Sequence, residues 1–323
     1  MTLLQAPPLL SPEEIAKLSE KIRRLAREKN AILLAHNYQN AEVQDVADVV
    51  GDSLGLCLEA KKTNASLIIF CGVHFMAETA KILNPDRKVL LPNAAAGCAL
   101  ANSISPESLD DWMERYPDYT VVTYINSSAE IKAMSYICCT SANARKVVQS
   151  VPSDKILFTP DRNLGNWVKK QVPEKTFAIY DGDCPTHDFL RSADVKKVKE
   201  SLPDAVIIAH PECREDVLAI ADEVCSTTAM LSRVEKHRDA KTFIIATESG
   251  MIHQLKKRFP DKEFVLADGC IGCRLHCPYM KVTSLMDVYH ALKDEVYEIK
   301  LSEQIMNDAR LALERMLAVP RDN

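Results

Sequence analysis

The sequence predicts an α/β protein made of three related, parallel α/β/α domains. Three observations favour this fold class. Short apolar strands alternate with amphipathic helices along the chain, the alternation repeats in three segments, and polar residues recur at matching positions in those segments. With 323 residues, of which 47% are apolar, the chain is long enough to bury a large core in two or three domains.

The predicted strands are short, continuous apolar runs, which is typical of parallel strands covered by helices on both faces. The first set is 31–35, 67–71 and 88–91, the second is 121–125, 155–158 and 177–180, and the third is 205–209, 242–246 and 263–267. Apolar residues at helical spacing near both ends predict a first and a last helix that close the first domain. We therefore expect domains at 1–115 with helix 301–323, at 116–202, and at 203–300.

The three segments agree at three kinds of position. A polar residue closes the first strand of each set, a hydroxyl residue follows it by 17 positions, and a cysteine follows it by 60 to 62. The polar residues are His36, Tyr124 and His210, the hydroxyl residues are Ser53, Ser141 and Thr227, and the cysteines are Cys98, Cys184 and Cys270. Ligands bind at the carboxyl ends of parallel strands, so we expect equivalent residues to face one another across a pseudo-threefold axis. The alternative is three independent domains with coincidentally placed cysteines.

Charge and hydropathy exclude several classes of protein. Forty Lys and Arg residues stand against 45 Asp and Glu residues, and a net charge of -5 lacks the basic surface of a nucleic-acid binder. No apolar run approaches the roughly 20 residues of a membrane span, and the first residues do not resemble a signal peptide. We expect a cytoplasmic protein without nucleic-acid or membrane partners.

Eleven cysteines are too many, and odd in number, for a disulfide framework in a protein of this class. Some are expected to be small core residues, namely Cys57, Cys71, Cys138, Cys139 and Cys225. Thiolates from several domains, without clustered histidines, favour zinc or an iron-sulfur centre. Three ligands would leave one coordination position open, as in catalytic metal sites.

A local motif, CIGCRLHC at 270–277, offers a different ligand set. Cys270, Cys273 and Cys277 would form a compact site only with His276 or a distant residue, because a fourth nearby thiol is lacking.

Longer segments of the sequence resemble the quinolinate synthase family. The matching segments are AHNYQ (35–39), GDSL (51–54), CGVHFMAETAKILNP (71–85), LLPNAAAGC (90–98), TYINSSAEIKA (123–133), CTSANA (139–144), NLG (163–165), GDCPTH (182–187), AHPEC (209–213), CSTTAM (225–230), ATESGM (246–251) and CPYMK (277–281). The resemblance implies three α/β domains around a central 4Fe-4S cluster with three cysteine ligands and one open iron. In the family the third ligand directly precedes the xxMK element, which here follows Cys277. The implied ligands are Cys98, Cys184 and Cys277, with Cys270 and Cys273 as additional thiols.

The resemblance also implies an activity in de novo NAD biosynthesis, a transferase-type condensation with dehydration. Iminosuccinate and dihydroxyacetone phosphate would condense to quinolinate, phosphate and water, with the open iron as a Lewis acid. Because iminosuccinate hydrolyses readily, functional coupling to L-aspartate oxidase is expected.

This chemistry needs proton transfer and anion binding, and the matching residue types suit both. We expect Tyr38 and the pair His210 and Glu212 to move protons, with Tyr124 as a further candidate. Substrate carboxylates and phosphate would be oriented by His36, Asn126, Ser53, Ser141, Ser226 and Thr227. The alternative for these hydroxyl groups is plain helix capping. His187 is a weaker candidate beside Cys184.

Two other functions fit part of this pattern. A hydro-lyase of the aconitase type also uses three cysteines and one open iron, but acts on a single hydroxy acid. A sensing module would bind iron-sulfur or zinc without turning over a substrate.

Overall fold

The computed structural model of the chain describes residues 10–269 and 274–322. Within them, twelve strands form three four-stranded sheets, and every strand pair is parallel. Helices flank each sheet, so the predicted α/β class with three similar domains is confirmed. Cys270 and Cys273 lie outside the described residues.

The first sheet has the order β2-β1-β3-β4. Its strands are β1 (Ala31–His36), β2 (Val49–Gly51), β3 (Leu67–Cys71) and β4 (Lys88–Leu90), and its helices are α1 (Pro12–Glu28), α2 (Ala41–Val46), α3 (Ser53–Lys62) and α4 (His74–Leu83). Helix α1 begins at a capping box, in which Ser11 and Glu14 each bond the other's backbone N–H.

The second sheet repeats this order as β6-β5-β7-β8. A 3-10 helix (Ala101–Ser103) and α5 (Pro106–Arg115) lead into β5 (Thr120–Tyr124), α6 (Ala129–Ala133), β6 (Ile137–Cys139), α7 (Ala144–Ser150), β7 (Lys155–Thr159), α8 (Arg162–Gln171), β8 (Thr176–Ile179) and α9 (Pro185–Asp188).

The third sheet has the same order again, β10-β9-β11-β12. Its elements are α10 (Ser192–Ser201), β9 (Val206–Ala209), α11 (Glu215–Leu218), β10 (Glu223–Val224), α12 (Thr227–Lys236), β11 (Thr242–Ala246), α13 (Met251–Arg258) and β12 (Glu263–Leu266). Three further helices follow, α14 (Pro278–Lys281), α15 (Leu285–Asp294) and α16 (Glu303–Leu317).

The nine strands predicted from apolar runs are all present, each within one or two residues of its expected bounds. The prediction missed β2, β6 and β10, which contain only two or three residues. Such edge strands are too short for an apolar run or an alternation to be recognised. Their pairing is decided by the neighbouring strand, which supplies the backbone partners.

The strand order determines where polar side chains collect. In each sheet the first strand lies between the second and the third, so the next two strands of the chain lie on opposite sides of it. This is the topological switch point at which open α/β sheets bind ligands. His36 ends β1, Tyr124 ends β5, and His210 directly follows β9, so all three residues lie at such points.

Contacts divide the chain into two compact units, Met1–Cys98 with Cys277–Arg310, and Ala99–His276 with Leu311–Asn323. In the first unit, Leu285, Val288 and Leu292 of α15 belong to the core of the first sheet. In the second unit, the end of α16 contacts the second domain, where Asn143 Nδ2 donates to Met316 O at 3.2 Å. The predicted domain boundaries near 115, 202 and 300 stay a prediction.

No helix within the described parts of the chain combines the length and apolar character that a membrane crossing requires.

Gly165 allows α8 to pack closely on the second sheet. A Cβ atom there would lie 2.9 Å from both Phe158 Cδ1 and Ile179 Cγ2. Overpacking of this kind costs about 1–3 kcal/mol, whereas Gly to Ala inside a helix gains about 1 kcal/mol. We expect Gly165→Ala to lower the free energy of unfolding by about 1 kcal/mol, measured by urea denaturation.

Gly51→Ala is the matched control, because the added Cβ would meet only Leu56 at 3.7 Å, an ordinary contact. It should not lower the free energy of unfolding. A Gly165→Ala protein as stable as the unmodified chain would contradict the close packing.

Candidate active site

The carboxylate of Glu212 is the centre of a buried polar cluster in the second compact unit. Tyr124 Oη donates a 2.6 Å hydrogen bond to Glu212 Oε1, and His187 Nδ1 lies 2.8 Å from Glu212 Oε2. His210 Nδ1 lies 3.5 Å from the same oxygen. All four residues are at most 4% exposed. Three separate segments of the chain therefore contribute groups around one desolvated carboxylate.

Charge and hydrogen bonds keep Glu212 ionised. Burial by itself raises the pKa of a carboxyl group. Electrostatic interactions with His187 and His210, with hydrogen bonds from His187 and Tyr124, outweigh burial and lower the pKa of Glu212 to about 2. At neutral pH Glu212 therefore carries a negative charge.

His210 connects this carboxylate to the start of another domain. Its Nδ1 accepts from the Glu212 backbone N–H at 3.4 Å, and its Nε2 lies 3.1 Å from Ser141 Oγ. With Nδ1 as the acceptor, Nε2 carries the proton and donates to the serine hydroxyl. Asn126 Nδ2 is 3.5 Å from Glu212 Oε1, at the outer limit of a hydrogen bond.

A second buried carboxyl group lies behind the cluster. Asp161 is fully buried and caps α8, because its Oδ1 accepts from Leu164 N at 2.7 Å. Burial and the charge of Glu212 raise the pKa of Asp161 well above its usual value. Two neighbouring carboxyl groups thus have pKa values shifted in opposite directions, a feature common at acid-base sites.

The segment before Cys184 is held by ion pairs. Arg162 Nη1 lies 2.7 Å from Asp183 Oδ2 and 3.1 Å from Asp181 Oδ1, while its Nη2 lies 3.2 Å from Asp188 Oδ1. These carboxylates stand on both sides of Cys184, so one guanidinium group restrains the chain before and after this thiol.

Residues of the first compact unit form a separate polar group. His36 and Tyr38 are buried, their ring centroids are 4.7 Å apart, and the Tyr38 backbone N–H donates to His36 Nδ1 at 3.2 Å. Lys281 Nζ donates to the Tyr38 carbonyl oxygen at 2.6 Å. The lysine of the xxMK element therefore anchors the loop that carries Tyr38.

The hydroxyl groups at helix starts are not explained by capping. Asp52, rather than Ser53, caps α3 by accepting from Gly55 N at 2.9 Å. Ser226 is the N-cap residue of α12, yet no capping hydrogen bond from this described side chain is present. Ser141 precedes α7 and contacts His210 instead. The capping alternative is therefore wrong for Ser53, Ser141 and Ser226.

Burial separates the cysteines into two groups. Of the nine cysteines that the structure describes, Cys98, Cys184 and Cys277 are partly exposed, and the other six are buried. Burial raises the pKa of Cys71, Cys138 and Cys225 to about 12, so these thiols stay protonated at neutral pH. The five cysteines predicted as core residues, Cys57, Cys71, Cys138, Cys139 and Cys225, are all buried.

Cys184 and Cys277 share one local conformation. Each is the N-cap residue of a four-residue helix that begins with proline, and their φ and ψ angles are -86° and 109° for Cys184, and -83° and 109° for Cys277.

Cys98 adjoins Gly97, where a Cβ atom would lie 3.5 Å from the Tyr279 ring of α14. The loops that bear Cys98 and Cys277 thus contact each other within the first unit.

Similarity to known proteins decides the family. The family described as Quinolinate synthetase A protein matches residues 20–318. The quinolinate synthase of Geotalea uraniireducens (strain Rf4) is 52% identical over 306 residues, which cover 95% of this chain and 99% of that protein. Those of Thermodesulfovibrio yellowstonii (strain ATCC 51303 / DSM 11347 / YP87) and Aquifex aeolicus (strain VF5) are 49% and 47% identical over 93% and 95% of this chain, and 97% and 96% of their own lengths.

The chain belongs to the quinolinate synthase family. The predicted resemblance is thereby confirmed, and with it the prediction that the chain is an enzyme.

Within this quinolinate synthase family member, the second unit brings Tyr124, Ser141, His210 and Glu212 together. His36 and Tyr38 meet in the first unit, where Ser53 is the first residue of α3. Ser226 and Thr227 stand at the start of α12. The roles of all these residues, and of Asn126, stay predictions.

The sequence indicated His187 only as a weaker candidate, and it did not indicate Asn163 or Thr247 as site residues. Asn163 Nδ2 donates to the Glu212 carbonyl oxygen at 3.1 Å, and His187 Nε2 lies 2.9 Å from Thr247 Oγ1. Asn163 lies in NLG and Thr247 lies in ATESGM, two segments that match the family. That match was the available signal, but only the folded chain shows what they contact.

The bond between Tyr124 and Glu212 should contribute strongly to stability, because its acceptor is charged and buried. A hydrogen bond to a charged group is worth about 1.5–3 kcal/mol, against about 0.5–1.5 kcal/mol for a neutral one. We expect Tyr124→Phe to lower the free energy of unfolding of the cluster-free chain by about 1.5–3 kcal/mol in urea denaturation.

Tyr180→Phe provides the comparison, since its hydroxyl donates to neutral acceptors in the same unit, Ser103 O at 3.2 Å and Ser108 Oγ at 3.1 Å. Its effect should be about half as large. Equal losses in the two variants would argue against a charged Glu212.

Proposed function

We propose that the chain is a quinolinate synthase that condenses iminosuccinate with dihydroxyacetone phosphate to quinolinate, phosphate and water. The observation that carries this proposal is the buried cluster around Glu212. It combines an ionised carboxylate with tyrosine and histidine groups at the carboxyl ends of two sheets. A condensation followed by dehydration needs such positioned proton acceptors and donors.

The cofactor we propose is one 4Fe-4S cluster bound by Cys98, Cys184 and Cys277. The donors fit this group, because these are the partly exposed thiols among the described cysteines, whereas burial raises the pKa of Cys71, Cys138 and Cys225 to about 12. The shared N-cap geometry of Cys184 and Cys277 supports Cys277 as the third ligand. When bound, a cluster with one open iron supplies a Lewis acid that polarises a carbonyl or hydroxyl oxygen.

The protein groups would divide the proton transfers between them. Glu212 is ionised and would take the hydroxyl proton that Tyr124 donates to its Oε1, while the Tyr124 oxygen takes a proton from the substrate. His210 presents Nε2–H toward Ser141, so it is oriented as a donor. In the other unit, Tyr38 lies against His36, and we assign Tyr38 to proton transfer and His36 to substrate orientation.

Anion binding would come from neutral donors. Ser53 and Thr227 are the first residues of ten-residue helices, and Ser226 directly precedes one of them. Helix starts carry partial positive charge and exposed N–H groups, which suit carboxylate and phosphate oxygens. Ser141 adds a hydroxyl beside His210, and Asn126 adds an amide beside Glu212.

The proposed place of the reaction is de novo NAD biosynthesis in the cytoplasm. Because iminosuccinate hydrolyses readily, we propose functional coupling to an L-aspartate oxidase that forms it.

Substitution of the proposed cluster ligands gives a direct prediction. Cys98→Ser, Cys184→Ser and Cys277→Ser should each lose most of the iron and sulfide bound after anaerobic purification, and quinolinate formation should be lost. Cys225→Ala is the control, because this thiol is buried and its pKa is raised to about 12. It should keep a full cluster. A full, active cluster in Cys277→Ser together with its loss in Cys270→Ala would contradict the proposed ligand set.

Substitution of the proton-transfer residues gives a second prediction. With the cluster intact, Tyr38→Phe and Glu212→Gln should each lower kcat about 10²- to 10⁴-fold, the usual contribution of a positioned acid or base. Steady-state and single-turnover rates would measure this. Near-normal turnover in both variants would remove these residues from the mechanism.

Two substitutions match these chemically and lie elsewhere. Tyr289→Phe alters a tyrosine whose ring centroid is 5.8 Å from that of His290. Glu223→Gln alters a carboxylate 2.9 Å from His237 Nε2. Both should leave kcat within about twofold, since neither residue belongs to the proposed site.

The activity itself is tested by an anaerobic assay that supplies freshly formed iminosuccinate and dihydroxyacetone phosphate to the cluster-loaded chain. Quinolinate and phosphate should appear together. Dehydration of a single hydroxy acid without quinolinate would indicate a hydro-lyase, and a loaded cluster without turnover would indicate a sensing module.

A further inference from the structure

Three different metal-binding groups converge in the second compact unit. Cys184 Sγ lies 3.3 Å from His187 Nδ1, which lies 2.8 Å from Glu212 Oε2, and one ligand atom of each residue lies within 4.8 Å of the others. We propose that the cluster-free chain binds one Zn²⁺ ion through Cys184, His187 and Glu212. This mononuclear site shares only Cys184 with the three-cysteine site proposed for the cluster.

The separations of the donor atoms are close to those of a tetrahedral zinc site. Zinc bonds of about 2.3 Å to sulfur and about 2.0–2.2 Å to nitrogen and oxygen place ligand atoms roughly 3.4–3.6 Å apart. The sulfur-nitrogen distance of 3.3 Å already agrees. The nitrogen-oxygen distance of 2.8 Å must open by about 0.6 Å, and the sulfur and carboxylate oxygen atoms, which lie within 4.8 Å of each other, must reach the same separation.

The chemistry of the donors also favours zinc. A thiolate, an imidazole and a carboxylate are the three ligand types that zinc accepts, and three protein ligands leave a fourth position for water. The two negative charges of Cys184 and Glu212 would balance the charge of the ion in a buried place. Zinc lies above ferrous iron in the affinity order of divalent metals, so it competes with iron for such a site.

Thr247 orients the imidazole for this role. Its hydroxyl lies 2.9 Å from His187 Nε2. In the metal-free chain Nδ1–H donates to Glu212, and the metal would displace this proton. Nε2–H then donates to Thr247 Oγ1, and the lone pair of Nδ1 binds the ion, which is the metal-binding form of the ring. Metal-ligating histidines usually have such a partner on the other nitrogen.

The comparison with Cys277 shows why only one of the two similar helix starts offers this site. The Cys184 helix places His187 three residues after the cysteine, where side chains share one helix face. The equivalent residue of the Cys277 helix is Met280, whose sulfur lies 3.4 Å from Gln39 Nε2. A thioether is a poor zinc ligand, so the second helix start lacks the second donor.

Zinc at this site would exclude the cluster, because both need Cys184. It would also remove the free carboxylate of Glu212, and the resulting loss of quinolinate synthesis is the one consequence that rests on the proposed function. Zinc binding itself does not depend on that function.

The test is a titration of the full-length, cluster-free chain with Co²⁺, a spectroscopic substitute for zinc, followed by displacement with Zn²⁺. We expect one Co²⁺ per chain, with sulfur-to-cobalt charge-transfer absorption. Cys184→Ser, His187→Ala and Glu212→Gln should each weaken binding at least about 100-fold, and Thr247→Val about 10- to 100-fold.

Cys98→Ser, Cys277→Ser and His237→Ala should bind the metal as tightly as the unmodified chain. His237 is the matched control, since it also pairs with a glutamate, at 2.9 Å from Glu223 Oε1. Circular dichroism of each variant establishes that it is folded, and a metal-dependent rise in Tm provides a second measure of binding in any variant of low stability.

Loss of binding in Cys98→Ser or Cys277→Ser would overturn the proposal, because the metal would then occupy the three-cysteine site. Absence of a sulfur charge-transfer band, or no stoichiometric binding, would overturn it as well. These outcomes leave the quinolinate assay unaffected, and a negative quinolinate assay leaves the cobalt titration unaffected, so the two failures are distinguishable.

Discussion

The buried negative charge of Glu212 is the constraint on which the site in the second unit depends. An ionised carboxylate without partners is far too costly in an apolar interior, where an isolated charge is neutralised by a shift of its pKa. Here Tyr124 and His187 contact the two carboxylate oxygens, and the pKa is lowered rather than raised. These partners come from the end of β5 and from α9. The carboxylate thus holds parts of two domains in one arrangement.

The repeated strand order explains how one architecture carries different chemistry in each domain. Positions i and i+2 at the end of the first strand are His36 and Tyr38 in one domain, Tyr124 and Asn126 in the next, and His210 and Glu212 in the third. The strand order is the same in all three sheets, so each pair stands at a switch point. The fold places these two positions alike in each domain. The residues at them differ, so one domain presents an aromatic hydroxyl, another an amide and another a carboxylate.

The cysteines show the limit of counting positions along a sequence. Repeat register selected Cys270 because 60 residues separate it from His210, but a count of residues does not detect an insertion. Backbone geometry gives a different comparison, in which Cys277 and Cys184 have nearly the same φ and ψ angles before a proline-initiated helix. Partial exposure of Cys277 agrees with this comparison. Conformation and exposure thus support the proposal that Cys277 is a ligand.

The sequence by itself determined the fold class, nine of the strands and the polar residues at their ends, because apolar runs and repeated spacing are local properties. It did not reveal β2, β6 and β10, whose few residues pair only because a neighbouring strand is already in place. Tertiary structure alone decided that α15 packs on the first sheet and that His187 contacts Glu212. Both contacts join residues far apart in the chain, and such contacts follow from the burial of surface and charge in the folded state.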